Sequence, residues 1–237
     1  MSIDTSKRSN EAEAMDDFHM EGEILRDALD KIASINRLLG GNNVTLNGVD
    51  YLLKDTQRHD VIRILDVGCG NGDMLRTLSL HAKKRGYQFQ MTGIDANDFT
   101  IQHAKSLTVD DPNIQYRCAD VFEDIKAPQS YDIILCTLTL HHFKDEEIIT
   151  LLRGFNAQAR LGIVINDLHR TAVAYQLFRV ICWLFGLNAM SRDDGLVSIL
   201  RGFKAADLDR YAKELNFKHH LIRWKWAFRY QWIIKNS

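Results

Sequence analysis

The chain has little of several things. Only 2 of its 237 residues are proline, and 14 are glycine. That leaves no material for long proline- or glycine-rich linkers. Four cysteines, Cys69, Cys118, Cys136 and Cys182, lie far apart without a CxxC pair. Their spacing offers neither a disulfide framework nor a cysteine zinc site, and reads as reduced thiols in a cytoplasmic protein. The longest apolar stretch, YQLFRVICWLFGL, is interrupted by Arg179 and is too short to span a bilayer. Net charge is −1, so no overall field draws nucleic acid or an anionic membrane. The polar start, MSIDTSKRSNEAEAMDD, lacks the apolar core of a secretory signal, and its first dozen residues read as disordered. The length suits one sizeable domain with additions rather than two full ones.

What is present alternates. Ile24, Leu25, Ala28, Leu29, Ile32, Ile35 and Leu39 recur at helical spacing and stop at Gly40-Gly41. GGNNVTLNG reads as a polar connection into a short helix near residues 49–54. Strands are expected over residues 61–67, 89–95, 114–118, 131–136 and 161–166, and helices over 73–85, 98–107 and 145–157. Asp98 is the expected cap of the second of these helices. Strands alternating with helices mean a doubly wound α/β sheet. After the fifth strand, residues 171–203 hold helical pieces around a polar loop, SRDDG. A helix over residues 204–215 resumes the core. Two closely spaced strands, 217–224 and 228–234, must pair as an antiparallel hairpin.

The chemistry gathers at ILDVGCGNGDML, residues 64–75. Gly68, Gly70 and Gly72 stand at alternate positions directly after a buried strand. In an open parallel sheet, ligands bind beyond the carboxyl ends of the strands. Glycines let backbone turn tightly and approach a ligand closely. A dinucleotide site wants GxGxxG and a helix start free to hold a pyrophosphate. Here the spacing is GxGxG, Asp73 opens the helix, and Asp66 adds a second carboxylate. Those charges suit a ligand carrying a cation.

DVGCGNG resembles the first motif of the class I S-adenosylmethionine-dependent methyltransferases. GIDAN, CADVFE and YDIILCTLTLHHF resemble that family's following motifs, in order. The resemblance covers residues 53–143 most specifically. It implies a seven-stranded, mostly parallel sheet with an antiparallel C-terminal strand. Residues 1–52 would form a tail and helical lid, residues 53–237 the methyltransferase domain, and residues 171–203 a helical insertion. S-adenosylmethionine is the implied cofactor. Asp95 would grip its ribose hydroxyls, Asp120 its adenine amine, and Val121 or Phe122 would pack on its ring. Further contacts would come from Asp66, Gly68, Cys69, Gly70, Asn71, Ala96 and Thr137. AMDD, INRLLGG, INDLHR and DDGLVSILRGF resemble bacterial small-molecule methyltransferases found beside polyketide-type pathways.

Methyl transfer from a sulfonium needs no metal, and none is expected. It needs alignment, and a base only where the acceptor is protonated. His141, His142 and His169 stand at the expected rim and are the candidate bases. The competing readings are a ring packing the helix start for His142 and an exposed loop residue for His141, and a non-catalytic role is the leading one for His169. His169 has Asp167 two residues before it as a possible orienting carboxylate. Asn36, Arg37, Asp167 and Arg201 are the candidate substrate contacts. The expected reaction is methylation of a small apolar or aromatic metabolite at oxygen. Methylation at carbon, as in quinone or polyketide chemistry, and a non-catalytic binding protein of the same fold are the alternatives. A homodimer through the insertion is left open.

Overall fold

The computed structural model describes residues 3–57, 60–126 and 130–236. The chain opens with an extended segment, followed by α1 (Glu23–Leu38) and α2 (Gly41–Leu52). Four strand–helix units and a fifth strand come next: β1 (Val61–Val67), α3 (Asp73–Arg85), β2 (Gln88–Asp95), α4 (Asp98–Leu107), β3 (Ile114–Cys118), α5 (Val121–Asp124), β4 (Tyr131–Thr137), α6 (Asp145–Gln158) and β5 (Ala159–Leu168). Then follow α7 (Ala172–Leu184), α8 (Ala189–Arg201), α9 (Ala205–Glu214) and the hairpin β6 (His220–Lys225) and β7 (Arg229–Lys235).

The seven strands lie in the order β3-β2-β1-β4-β5-β7-β6. Strands β1 to β5 pair parallel, and β7 pairs antiparallel with both β5 and β6. The order reverses between β1 and β4, so a crevice opens beyond Val67 and Thr137. Alternation along the strands feeds two cores. Ile62, Ile64, Ile133 and Val164 pack with α2, α3 and α4. Leu65, Val67, Ile134 and Ile163 pack with α6 and α9 around Phe155, Tyr211 and Trp232. Burial on both faces explains why these strands read as continuous apolar runs.

Four local expectations are corrected. Residues 41–48 are helical and belong to α2, despite two glycines and two asparagines. Packing overrides propensity here. A Cβ on Gly48 would stand 2.4 Å from Val164 Cγ1, so only glycine lets α2 lie this close to β5. Thr45 and Asn42 bond sideways to Thr137 and Asp73 rather than outward to water. SRDDG is not a loop but the start of α8. Its Asp194 is buried and accepts the backbone N–H groups of Ala14 and Met15 at 2.8 and 3.0 Å. Asn97, not Asp98, caps α4, accepting the Thr100 N–H at 2.9 Å.

The first dozen residues, apart from 1 and 2, which lie outside the described residues, are held rather than free. Ser9 N–H bonds to the Leu200 carbonyl, and the Arg8 guanidinium bonds to Asp145 and to the carbonyls of His141 and Phe143.

Candidate active site

The glycine loop follows β1 because the strand delivers it to the crevice. Gly68, Gly70 and Gly72 all have positive φ, at 66°, 52° and 77°. At Gly68 and Gly72 a Cβ would collide with Thr139 and with the Tyr116 hydroxyl. At Gly70 the nearest atom is Leu29 Cδ2 at 3.8 Å, so the missing side chain there leaves open space on the cleft side. The loop is tied to the end of β2: Asp95 Oδ2 accepts the Gly70 N–H at 3.1 Å and Oδ1 accepts the Asn97 N–H at 3.1 Å. Each oxygen keeps a lone pair for a ligand hydroxyl.

Charge is concentrated here. Asp66 is buried, and burial with the charge of Asp95 beside it pushes its carboxyl up to about 8. Burial also raises Asp95, against backbone hydrogen bonds that pull it down. Two carboxyls this reluctant to ionise together suit a cationic ligand, which relieves both. Asp73 works differently from the expectation. Its oxygens are taken by Arg37 at 2.6 Å and Asn42 at 2.8 Å, so its charge pins α1 and α2 to α3.

Around the loop lies one cleft of about 1890 Å³. That exceeds the roughly 300–1,000 Å³ of an ordinary ligand pocket and leaves room for two molecules side by side. Asp66, Gly68, Cys69, Gly70, Asn71, Asp95, Ala96, Asp120, Val121 and Thr137 all line it. So do His141, His142, His169, Asn36 and Arg201. Asn71 donates to Asp30 of α1 at 2.8 Å, and Asp120 is exposed and caps α5 by accepting the Phe122 N–H. Two expected substrate contacts are not in the lining. Arg37 is exposed and engaged with Asp73 and Ser34. Asp167 lies behind His141 and is 1% exposed.

The histidines differ. Leu140, His141 and His142 form one 3-10 turn after β4, and its entry residue Leu138 is held at φ 54°. A non-glycine residue there costs energy that surrounding contacts must over-determine. Arg8 and Arg201 supply them by donating to the carbonyls of His141, His142 and Phe143. His141 Nδ1 meets Asp167 Oδ1 at 2.7 Å, and His142 Nδ1 meets Asp16 Oδ1 at 2.7 Å. Burial would raise both aspartates, but the histidines, joined at Asp16 by Arg201, outweigh it and hold them below the usual range. The carboxylates therefore accept at Nδ1, and each ring turns its Nε2 away from its aspartate. Asp167 does not orient His169. That ring accepts the Trp224 indole N–H on Nδ1 at 3.2 Å and packs on Tyr230. Its neutral form then carries the proton on Nε2 and is a donor toward its surroundings.

Two residues that sequence reasoning missed belong to the cleft. Glu13 is 5% exposed, and burial raises its carboxyl. Arg229, at the start of β7, is 4% exposed, and Nε and Nη1 have no hydrogen-bond partner. Burial lowers it to about 10, with Asp167 opposing, so it stays charged at neutral pH. Nothing local in EAEAMDD or AFRYQW marks either residue. Only the strap formed by residues 6–20 and the β5–β7 pairing bring them in. Apolar wall is supplied by Leu177, Phe178 and Ile181 of α7 with Phe228.

Residues 64–162 match the family model described as a methyltransferase domain. A ubiquinone biosynthesis O-methyltransferase of Coxiella burnetii is 34% identical over 85 residues, which is 35% of this chain and 34% of that protein. The match thus spans about a third of the length of the curated relative. The solved plantazolicin methyltransferase BpumL, in complex with SAH, superposes with a TM-score of 0.66 at 18% identity, covering 90% of this chain and 89% of that one. Magnesium protoporphyrin IX methyltransferase from Synechocystis PCC 6803, with bound SAM, gives 0.57 at 12% identity, covering 94% and 89%. At these identities the likeness is one of fold. The family match thus covers residues 64–162, the motif-bearing part of the chain, as a methyltransferase domain, and across nine-tenths of the chain the fold is that of solved methyltransferases.

Proposed function

We propose that the chain transfers a methyl group from S-adenosylmethionine to an oxygen of a small, largely apolar or aromatic metabolite. The observation that carries this reading is a single cleft in which Asp95 and the open face of Gly70 lie at one side, and the histidine turn and the α7 wall at the other. When bound, the cofactor supplies an electrophilic methyl on a sulfonium, whose leaving thioether is neutral and needs no acid.

The protein's share is binding and alignment. Asp95 accepts from the ribose hydroxyls with the lone pairs its backbone partners leave free. Asp66 and Asp95 favour a cation over a pyrophosphate. The buried Arg229 guanidinium, without a partner at Nε and Nη1, favours an acceptor that brings an anionic or strongly accepting oxygen, because a buried unpaired charge is costly until answered. His141 and His142 mark where the acceptor hydroxyl loses its proton. The strap and α1, packed over the loop through Leu29 and Asn71, act as the lid that excludes water. The small-molecule acceptor, and residues 1–52 as lid with 171–203 as substrate insertion, are parts of this same reading.

Incubation with methyl-labelled cofactor and a panel of phenols, quinols and carboxylic acids tests it. The expected product carries the label on oxygen by NMR. A carbon-bound methyl would contradict the oxygen assignment, and no turnover across the panel alongside tight SAH binding would point to the binding-protein alternative.

A further inference from the structure

Glu13, His141 and His142 present a chemical conflict that the methyl-transfer reading leaves unanswered. Both imidazoles meet a carboxylate at Nδ1, which leaves both Nε2 atoms turned to the other side of their rings. Both point at the Glu13 carboxyl. His141 Nε2 stands 3.9 Å from Oε1, and His142 Nε2 stands 4.0 Å from Oε2. These distances are too long for hydrogen bonds. His141 Nε2 and Glu13 Oε1 have no hydrogen-bond partner at all. The side chains of Glu13 and His141 are each 3% exposed, so water does not screen the arrangement. Three groups able to ligate a metal thus converge without a hydrogen bond among them. Among the described residues, no other three His, Cys, Asp or Glu side chains bring ligand atoms within 4.8 Å of one another.

We propose that these three residues hold a divalent transition-metal cation of the zinc type, with one position open to the cleft. The donor set is two imidazole nitrogens and a carboxylate, which suits zinc or its neighbours and not magnesium or calcium, whose ligands are oxygens. The outer shell is already built. Asp167 and Asp16 each take the distal N–H of one histidine, the arrangement that fixes tautomer and ring angle at metal sites. The Ser198 hydroxyl donates to Glu13 Oε2 at 2.7 Å and steers that carboxylate.

The charge balance agrees. Arg201 answers Asp16 at 2.6 Å, and Arg229 lies near Asp167, which leaves Glu13 as the excess negative charge. Arg201 also comes within 3.4 Å of Glu13 Oε1, without closing a hydrogen bond there. A dication leaves one positive charge over, which an ionised acceptor oxygen at the open position would balance. Two atoms each about 2.1 Å from a tetrahedral zinc are about 3.4 Å apart. Binding therefore draws each histidine nitrogen toward the Glu13 carboxylate by roughly half an ångström. His142, with 28% of its side chain exposed, is the ligand that faces the cleft.

This revises the expectation that no metal takes part. Its role in catalysis rests on the oxygen-methylation reading: an acceptor hydroxyl on the cation would lose its proton to solvent water more readily than a free one. The site itself does not depend on that reading.

The full chain is titrated with Zn²⁺ by calorimetry and with Co²⁺ by visible absorption, with SAH binding measured on the same samples. The expected result is one equivalent of metal and a Co²⁺ spectrum of low-coordinate nitrogen–oxygen type. Glu13→Gln and His142→Asn should each weaken metal binding by roughly tenfold or more, as should Asp16→Asn from the outer shell, while SAH affinity stays unchanged. A protein that binds SAH but gives no Co²⁺ spectrum overturns the proposal. So does metal binding that survives all three substitutions, which would place it at another histidine. Uptake of one metal without SAH binding leaves the cation site standing and overturns the methyl-transfer reading instead.

Discussion

Asp66 ties the chemistry of the loop to pH. Its carboxyl ionises near 8 in the folded chain and near 3.8 in the unfolded one. Between those values the folded state binds more protons than the unfolded state. Stability therefore falls as pH rises from about 4 to about 8, at up to about 1.4 kcal/mol per unit from this group. The sign for ligand binding is opposite. A cationic ligand draws the proton off Asp66, so affinity for S-adenosylmethionine, which carries a fixed sulfonium, should climb with pH up to about 8 and then level. Calorimetry between pH 6 and 9 checks this, with Asp66→Asn flattening both profiles. A flat profile in the unsubstituted chain would show that the ligand's cation lies elsewhere. Arg229 gives a second prediction at this scale. Arg229→Met should raise KM for the acceptor by one to two orders of magnitude, the effect of removing a charged hydrogen bond of about 1.5–3 kcal/mol. SAH affinity should not change. Equal loss of both would assign Arg229 to the cofactor.

Among the elements, α2 and the strap carry the least sequence signal and the most positional weight. The strands and α3 were legible because period-two burial and an uninterrupted apolar run leave few alternatives. α2 was not, because Gly41, Asn42 and Gly48 read as a turn until β5 is known to lie beneath them. Gly48→Val should cost on the order of 1–3 kcal/mol by overpacking against Val164, seen as a lower Tm. An unchanged Tm would mean that α2 stands off the sheet. The first half of the strap reads as disorder because it is polar. The strap's order comes from partners far away in sequence, Asp194 above all. Asp194→Ala removes an acceptor from two buried N–H groups and should cost about 1–3 kcal/mol. Limited proteolysis at Arg8, whose side chain the unsubstituted chain holds against Asp145, should then become faster. Protection that survives the change would show that Arg8 and Ser9 hold the strap alone.

At the scale of the molecule, the sequence yielded the sheet, its final hairpin and the loop at its switch point, because each rests on local spacing. It did not yield how the cleft closes. His141 and His142 were visible as a pair, but their partners come from residues 13–16, 167 and 201, which no spacing relates. Among the described residues no helix is long and apolar enough to cross a membrane. The cleft reads as a site for two ligands, one held at Asp95 and one at the histidine turn.

The central claim is that the first of these is an adenosyl-bearing methyl donor, and titration of the chain with its product SAH by calorimetry tests it most directly. One-to-one binding that Asp95→Ala abolishes, in a variant whose melting temperature is retained, is the predicted result. Affinity unchanged by that substitution, or no heat from SAH beside clear binding of a nicotinamide dinucleotide, would contradict it.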